Sequence, residues 1–459
     1  MIAPLALLCF LRSDTVHLNA ADARLIGAVR LDAGRGFVTG FTQPGDGIEW
    51  TFNGKAGIYD LKIGYRAGGQ KGFDATVDGH GLSGMFPASG DKFSSVKAGR
   101  VELVDGTNRL KITKGWGYYD IDYAEFTPAA PPIALKPVRP GLTDTHASPE
   151  ARRLMAYLRS VYGKKTLSGQ YDESESAWVK KQTGMTPAIL GCDLMDFSPS
   201  RIEHGSKPGD AVDGWIESAL RGQILTISWH WNAPAHLVDK IVKDANGNTV
   251  DESWYKGFYT NASTFDVAQA LADPSSQDYK LILRDIDAIA IQLKKLSDAH
   301  IPVLWRPLHE AEGGWFWWGA KGPEPYKKLY RLLFDRLTNL HGLHNLIWVH
   351  NSVNPAWYPG DDVVDIQSTD QYPSDHTDPL SSTWDDLFTR FNGNKPVALA
   401  EFPGAPDVPR MFRFGVRFLY FVSWTGDVGP KSTAPAVLKA VYHSDQVVTA
   451  ESLPGRISH

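Results

Sequence analysis

The chain has 459 residues, roughly three domain units or one large barrel with a small companion domain, and its 42% hydrophobic and 22% charged residues are ordinary globular values. A formal net charge of −5 with no basic run argues against nucleic acid as a partner. No segment is long and apolar enough to span a membrane. Two cysteines, Cys9 and Cys192, lie far apart, so no disulfide framework is implied, and Cys192 sits in an apolar run as a small buried hydrophobe. Fifteen tryptophans and 17 tyrosines exceed what a core usually needs and suit a surface that packs on the flat apolar faces of sugars.

In chain order, residues 1–14 carry an apolar run from Ile2 to Leu11 with no basic residue before it, an incomplete or atypical secretion signal. Residues 15–127 are rich in glycine, with short alternating runs such as Gly47–Phe52, Tyr59–Ile63 and Val101–Leu103. Asn53-Gly54 and Asp105-Gly106 punctuate these runs, which is the pattern of a small antiparallel β-sandwich. Residues 128–144 form a linker whose core, with Thr127, reads TPAAPPIALKPVRP; its five prolines leave no periodicity.

Residues 145–459 change in texture. Apolar strands are predicted at Thr166–Gln170, Ala188–Asp193, Ile224–His230, Val303–Leu308, Leu346–His350, Val364–Asp370, Val397–Glu401 and Phe418–Trp424. Helical stripes lie between several of them: Ile282, Ile286, Ile289, Leu293 and Leu296, then Tyr326, Leu329, Tyr330, Leu333, Leu337 and Leu340, the second starting near Pro323 and stopping at Gly342. The expected fold class is α/β, a (β/α)8 TIM barrel preceded by a small all-β sandwich. An open doubly wound sheet is the rival, weakened because no glycine-rich phosphate loop follows the first strand.

Sites in such barrels are built at the C-terminal ends of the strands. Here those ends collect His230-Trp231, His309-Glu310, His350-Asn351, Asp370-Gln371-Tyr372, Glu401 and Trp424. Glu310 and Glu401, at the ends of strands four and seven, face each other across the predicted mouth. Such a pair can flank a glycosidic bond, one carboxyl protonating the leaving oxygen and the other attacking the anomeric carbon, which requires them about 5–5.5 Å apart. After the Gly313-Gly314 pair come Trp315, Phe316, Trp317 and Trp318; four consecutive rings cannot all face one core, so they read as a platform for a sugar. His309-Glu310 is not a zinc-protease motif, because position 313 offers glycine where a second histidine is needed. His230 follows an apolar strand, which favours substrate contact over a core role.

Five motifs then carry a resemblance: SWHWNAP at Ser228–Pro234, WRPLHEAEGGWFWWG at Trp305–Gly319, STDQY at Ser368–Tyr372, ALAEF at Ala398–Phe402 and FVSWTGD at Phe421–Asp427. The second part of the chain resembles glycoside hydrolase family 26, retaining endo-β-1,4-mannanases. The resemblance implies Glu310 as acid/base and Glu401 as nucleophile, with Tyr372 orienting Glu401. It implies that Arg306 and His309 contact the sugar or hold the carboxylates, that Trp315 and Trp424 line the subsites, and that His230 and Asp370 touch substrate. It implies a β-mannan substrate, no catalytic cofactor, and a secreted, extracellular enzyme expected to be monomeric. Another endo-β-glycanase on the same barrel, cutting mixed-linkage glucan or β-1,3-xylan, is the nearest alternative; a non-catalytic polysaccharide-binding protein is the second.

The first domain resembles a family 35 carbohydrate-binding module through GFVTGF at Gly36–Phe41 and GWGYYDIDYAEF at Gly115–Phe126. That implies Trp116 near the ligand, against the alternative of a core tryptophan, and Asp122 as a ligand of a structural calcium. Asn19, Ala20 and Ala21 stand where such modules carry acidic residues.

Overall fold

A computed structural model describes residues 15–244, 247–455 and 457. The secretion-signal expectation for residues 1–14 lies outside these. By contacts the chain forms two compact units: one takes in the chain up to Ala134 with Pro373–Asp385 and Pro409–Val416, the other Leu135–Tyr372, Asp386–Val408 and Arg417 onward.

The N-terminal region is a sandwich of two antiparallel sheets. Its strands are β1 (Val16–Asn19), β2 (Arg24–Ile26), β3 (Arg30–Asp32), β4 (Phe37–Thr39), β5 (Gly47–Gly54), β6 (Gly57–Arg66), β7 (Lys71–Val77), β8 (His80–Phe86), β9 (Ser94–Leu103), β10 (Gly106–Trp116) and β11 (Asp120–Pro128). One sheet runs β3-β4-β11-β6-β9 with β1 also on β11; the other runs β2-β5-β10-β7-β8. Alternation does the work: Ile48 and Trp50 of β5, Leu61 and Ile63 of β6, and Leu110 and Ile112 of β10 are buried between the sheets while their neighbours in sequence point outward. The Asp105-Gly106 signal is a true turn, with Gly106 at φ +94° where a side chain would be strained.

The second unit is a closed barrel of eight parallel strands: Gly169–Tyr171, Ile189–Asp193, Ile224–Trp229, Val303–Pro307, Leu346–Asn351, Ile366–Asp370, Val397–Phe402 and Phe421–Ser423. All eight expected strands are present. The first begins later than predicted, because Thr166–Leu167 pairs in parallel with Val447–Val448 outside the barrel, and the eighth begins at Phe421. The strands are buried on both faces, one towards the barrel interior and one towards the helices, so they read as continuous apolar runs rather than alternating ones. The helix Gln277–Asp298 buries the predicted stripe Ile282, Ile286, Ile289, Leu293 and Leu296, and the Ser276 side chain caps it by accepting from the Tyr279 N–H at 3.1 Å. Pro323 opens the next helix, Pro323–Phe334, at the position where a missing N–H costs nothing.

The tryptophan excess is mostly structural. Trp229, Trp231, Trp305, Trp317, Trp318 and Trp348 are all fully buried in the barrel unit. Cys192 is buried and unpaired, and burial pushes its thiol pKa up. No helix among the described residues is long and apolar enough to cross a membrane.

Candidate active site

The site is organised around Arg306, wholly buried near the end of the fourth barrel strand. Its guanidinium donates from Nη1 to Asp370 Oδ2 at 2.8 Å, and from Nη2 to the Tyr171 hydroxyl at 2.9 Å and to Glu401 Oε1. A planar fork holds several acceptors in fixed directions, which a lysine could not do. The Tyr372 hydroxyl donates to the other oxygen of Glu401 at 2.6 Å. Glu401 lies inside the seventh strand, Val397–Phe402, and is buried. Both of its oxygens therefore receive a donor, and the carboxylate is aimed before any substrate arrives.

Glu310 lies three positions beyond the fourth strand, on a backbone bent by positive φ at both Leu308 (+53°) and Glu310 (+52°). Non-glycine residues hold that conformation only when their surroundings impose it. Here the Glu310 N–H is gripped by Asn351 Oδ1 at 2.9 Å, and Trp318 Nε1 donates to the His309 carbonyl at 2.9 Å. Asn351 also donates to Asp370 Oδ1 at 2.9 Å, tying the Glu310 loop to the Arg306 cluster.

Oxygens of Glu310, Asp370 and Glu401 all lie within 4.8 Å of one another. One buried guanidinium cannot neutralise three such carboxylates. Burial and the neighbouring Glu401 charge accordingly push the Glu310 carboxyl up to about 7. Burial and the adjacent carboxylates also raise Asp370, against the pull of Arg306. Burial, with Glu401 beside it, raises the Tyr372 phenol, so it stays a donor. The three carboxylates could be mistaken for a metal centre, but Arg306 already occupies two of them as the counter-charge.

His230 and His309 form a pair beside this cluster. Asp193 Oδ2 meets His230 Nδ1 at 2.5 Å, and the two histidine Nε2 atoms are 3.1 Å apart. His309, expected at the sugar or the carboxylates, is buried, and its ring nitrogen meets that of His230. His230 packs among Phe258, Phe316 and Trp424, with its ring 5.9 Å from Trp424. Trp424 in turn meets Tyr171 edge to face at 4.8 Å.

The aromatic run divides. Trp315 is 46% exposed and donates Nε1–H to Glu310 Oε2 at 3.0 Å. Phe316, Trp317 and Trp318 are buried, so the four-ring platform reduces to one ring. A turn explains it: Gly313 and Gly314 reverse the chain, Phe316 forms a bridge with Tyr259, and Trp317 Nε1 reaches the Trp231 carbonyl at 2.6 Å. A side chain at Gly313 would collide with the Trp315 ring, its Cβ falling 2.0 Å away.

In the sandwich, Trp116 is 52% exposed, so it is not a core residue; it covers Gly72, with Lys71 Nζ 5.9 Å from its ring. Asp122 falls at the irregularity of β11 between Ile121 and Tyr123 and joins no group of three acidic, histidine or cysteine ligands among the described residues. Calcium takes six to eight oxygens, several of them from carboxylates. A calcium held by Asp122 would therefore need backbone or amide carbonyls for its remaining ligands.

With a paired acid and buffered carboxylate at opposite strands of a closed barrel, the comparison with known families decides the lineage. The model of glycosyl hydrolase family 26 matches residues 143–452, and that of carbohydrate binding module (family 35) matches residues 13–129. The chain belongs to glycosyl hydrolase family 26. A mannan endo-1,4-beta-mannosidase of Thermothelomyces thermophilus is 46% identical over 427 residues, covering 92% of this chain and 86% of that protein. Mannan endo-1,4-beta-mannosidase A of Piromyces sp is 31% identical, covering 98% and 74%. The crystal structure of the Podospora anserina GH26-CBM35 beta-(1,4)-mannanase superposes with a TM-score of 0.69 at 43% identity, covering 97% of this chain and all of that one.

Within this family 26 barrel, two residues of the cluster escaped sequence reasoning: Tyr171 and Asp193. Both close barrel strands, in GQY and GCD, as Asn351, already noted among the strand ends, closes VHN. Their position at a strand's C-terminal end was the available signal; neither has a neighbour in sequence that marks it out.

Proposed function

We propose that this chain is a retaining endo-β-1,4-mannanase. The observation that carries the mechanism is the separation of Glu310 and Glu401. Oxygens within 4.8 Å leave no room for a water between carboxyl and sugar, as inversion needs, but fit direct attack. Glu310, protonated near neutral pH, gives its proton to the departing glycosidic oxygen. Glu401 Oε attacks the anomeric carbon from the opposite face, the C–O bond to the leaving sugar breaks, and a mannosyl-enzyme ester remains. Glu310, now a carboxylate, takes a proton from water, whose oxygen displaces Glu401 and restores the original configuration. Tyr372 and Arg306 hold Glu401 in line. Asp370, Trp315, His230 and Trp424 line the cleft as sugar contacts. Carboxylates and water suffice, with no cofactor.

The substrate assignment, β-mannan and its oligosaccharides, is supported by the mannan-cleaving relatives and the fold they share. A polymer of that size is met outside the cell, which supports a secreted enzyme. The working unit in this reading is a monomer, and Trp116 offers the sandwich a ring for polysaccharide.

Hydrolysis of mannohexaose, with products sized over time and their first anomer read by NMR, tests this. Internal cleavage with β-configured first products is expected. Turnover of lichenan or β-1,3-xylan but not mannan would overturn the substrate, and α-configured first products would overturn retention.

A further inference from the structure

Asp193 is held by four donors. Oδ1 accepts from the Met195 N–H at 2.7 Å and the His230 N–H at 3.1 Å; Oδ2 accepts from Ser228 Oγ at 2.9 Å and His230 Nδ1 at 2.5 Å. So many donors favour the ionised carboxylate, and a carboxylate can only accept, so His230 Nδ1 carries a proton. The other ring nitrogen faces His309 Nε2 at 3.1 Å, and that contact needs one proton between two nitrogens. His309 is buried, its Nδ1 has no hydrogen-bond partner, and Arg306 is its charged neighbour, so it is the poorer site for a cation.

The charged and titratable groups facing His230 are Asp193 on the second strand, Arg306, His309 and Glu310 on the fourth strand and its loop, and Glu401 on the seventh. The remaining neighbours, Phe258, Phe316 and Trp424, are aromatic. With Glu310 protonated, two carboxylates, Asp193 in direct contact and Glu401 further off, against one guanidinium and one buried neutral ring favour positive charge on His230.

We propose that Asp193 is a positioning residue of the reaction: it holds His230 as an imidazolium that donates Nε2–H to His309, fixing the ring that precedes Glu310 and placing a cation beside the two glutamates. The relay rests on Glu310 being the acid, as proposed above. It adds a third constraint on the Glu310 loop, after Asn351 and Trp318. It also adds a charge that keeps Glu310 from binding its proton too tightly.

The direct test is the ¹⁵N titration of His230 in the full-length protein. Both ring nitrogens are expected to be protonated at pH 7 in the wild type and only one in Asp193→Asn. In kinetics, removing the cation favours protonated Glu310. The alkaline limb of kcat/KM on mannohexaose should then move upward by ~0.5–1 pH unit in Asp193→Asn, and likewise in His230→Gln, which keeps a donor but no charge. A wild-type His230 protonated on one nitrogen at pH 6 would overturn the proposal. So would an unmoved limb in both variants with activity lowered evenly across pH, the mark of a merely structural role. If Asp193→Asn does not fold, the wild-type titration and His230→Gln decide. A protein inactive on every β-mannan would sink the enzyme assignment, while the ¹⁵N titration would still decide the relay.

Discussion

Glu310 is the residue at which burial, backbone strain and charge meet. Its carboxyl, raised by burial and by Glu401 to about 7 from the usual 4.5, must be protonated to act as the acid. kcat/KM is therefore expected to fall as pH rises through about 7, which a pH–rate profile on mannohexaose checks. Stability follows with the opposite cost: the folded state binds this proton more tightly than the unfolded chain, so stability declines as pH climbs from about 4.5 to about 7. Glu310→Gln, neutral at every pH, should raise Tm at pH 8 by a few degrees, on the order of 3 °C, and change it little at pH 4, as calorimetry would show. Tyr372→Phe removes the 2.6 Å donor to Glu401 and should lower kcat/KM by roughly 10- to 100-fold without unfolding the protein. Glu310 and Glu401 were legible in the sequence because charge at the end of a buried strand is costly without a purpose, whereas Arg306 and Tyr372 were marked by the family resemblance. The partner of His309 was not legible, because adjacency to Glu310 in sequence says nothing about ring direction. On a backbone with positive φ on both sides, at Leu308 and Glu310, the ring meets His230.

At the scale of elements, the barrel strands were legible because strands covered on both faces must be apolar throughout. Their boundaries were less so: whether Thr166–Leu167 belongs to the barrel depends on Val447–Val448, some 280 residues away, and no local pattern carries that. The aromatic loop shows the same limit. Four adjacent rings were expected not to share one core, whereas Gly313, Gly314 at φ +72° and the Tyr259–Phe316 bridge turn three rings inward. The two faces of the loop should then respond differently. Trp317→Ala empties a filled core position and should cost about 3–5 kcal/mol of stability in a denaturant melt. Trp315→Ala leaves the core intact and should instead weaken turnover, seen as altered KM and kcat at nearly unchanged Tm.

For the whole molecule, the sandwich and the barrel were both legible, the first from alternation and turn dipeptides, the second from strand–helix repetition. The orientation of single side chains was not: only the folded sheet shows that Trp116 stands outward on Gly72 while Trp50 points into the core. An exposed ring suited to a sugar face makes Trp116→Ala a test of the sandwich's role. Activity on insoluble mannan should fall relative to activity on mannohexaose, because a second binding site raises local concentration only on a polymer surface.

Division of labour between the two glutamates is the centre of the mechanism, and azide tests it directly. In Glu310→Ala, an aryl β-mannoside with a good leaving group still forms the mannosyl-enzyme, but water lacks its base, so the ester accumulates. Azide needs no base and should restore turnover, giving a β-mannosyl azide. Rescue of Glu401→Ala as an α-azide, with no effect of azide on Glu310→Ala, would show the two roles reversed.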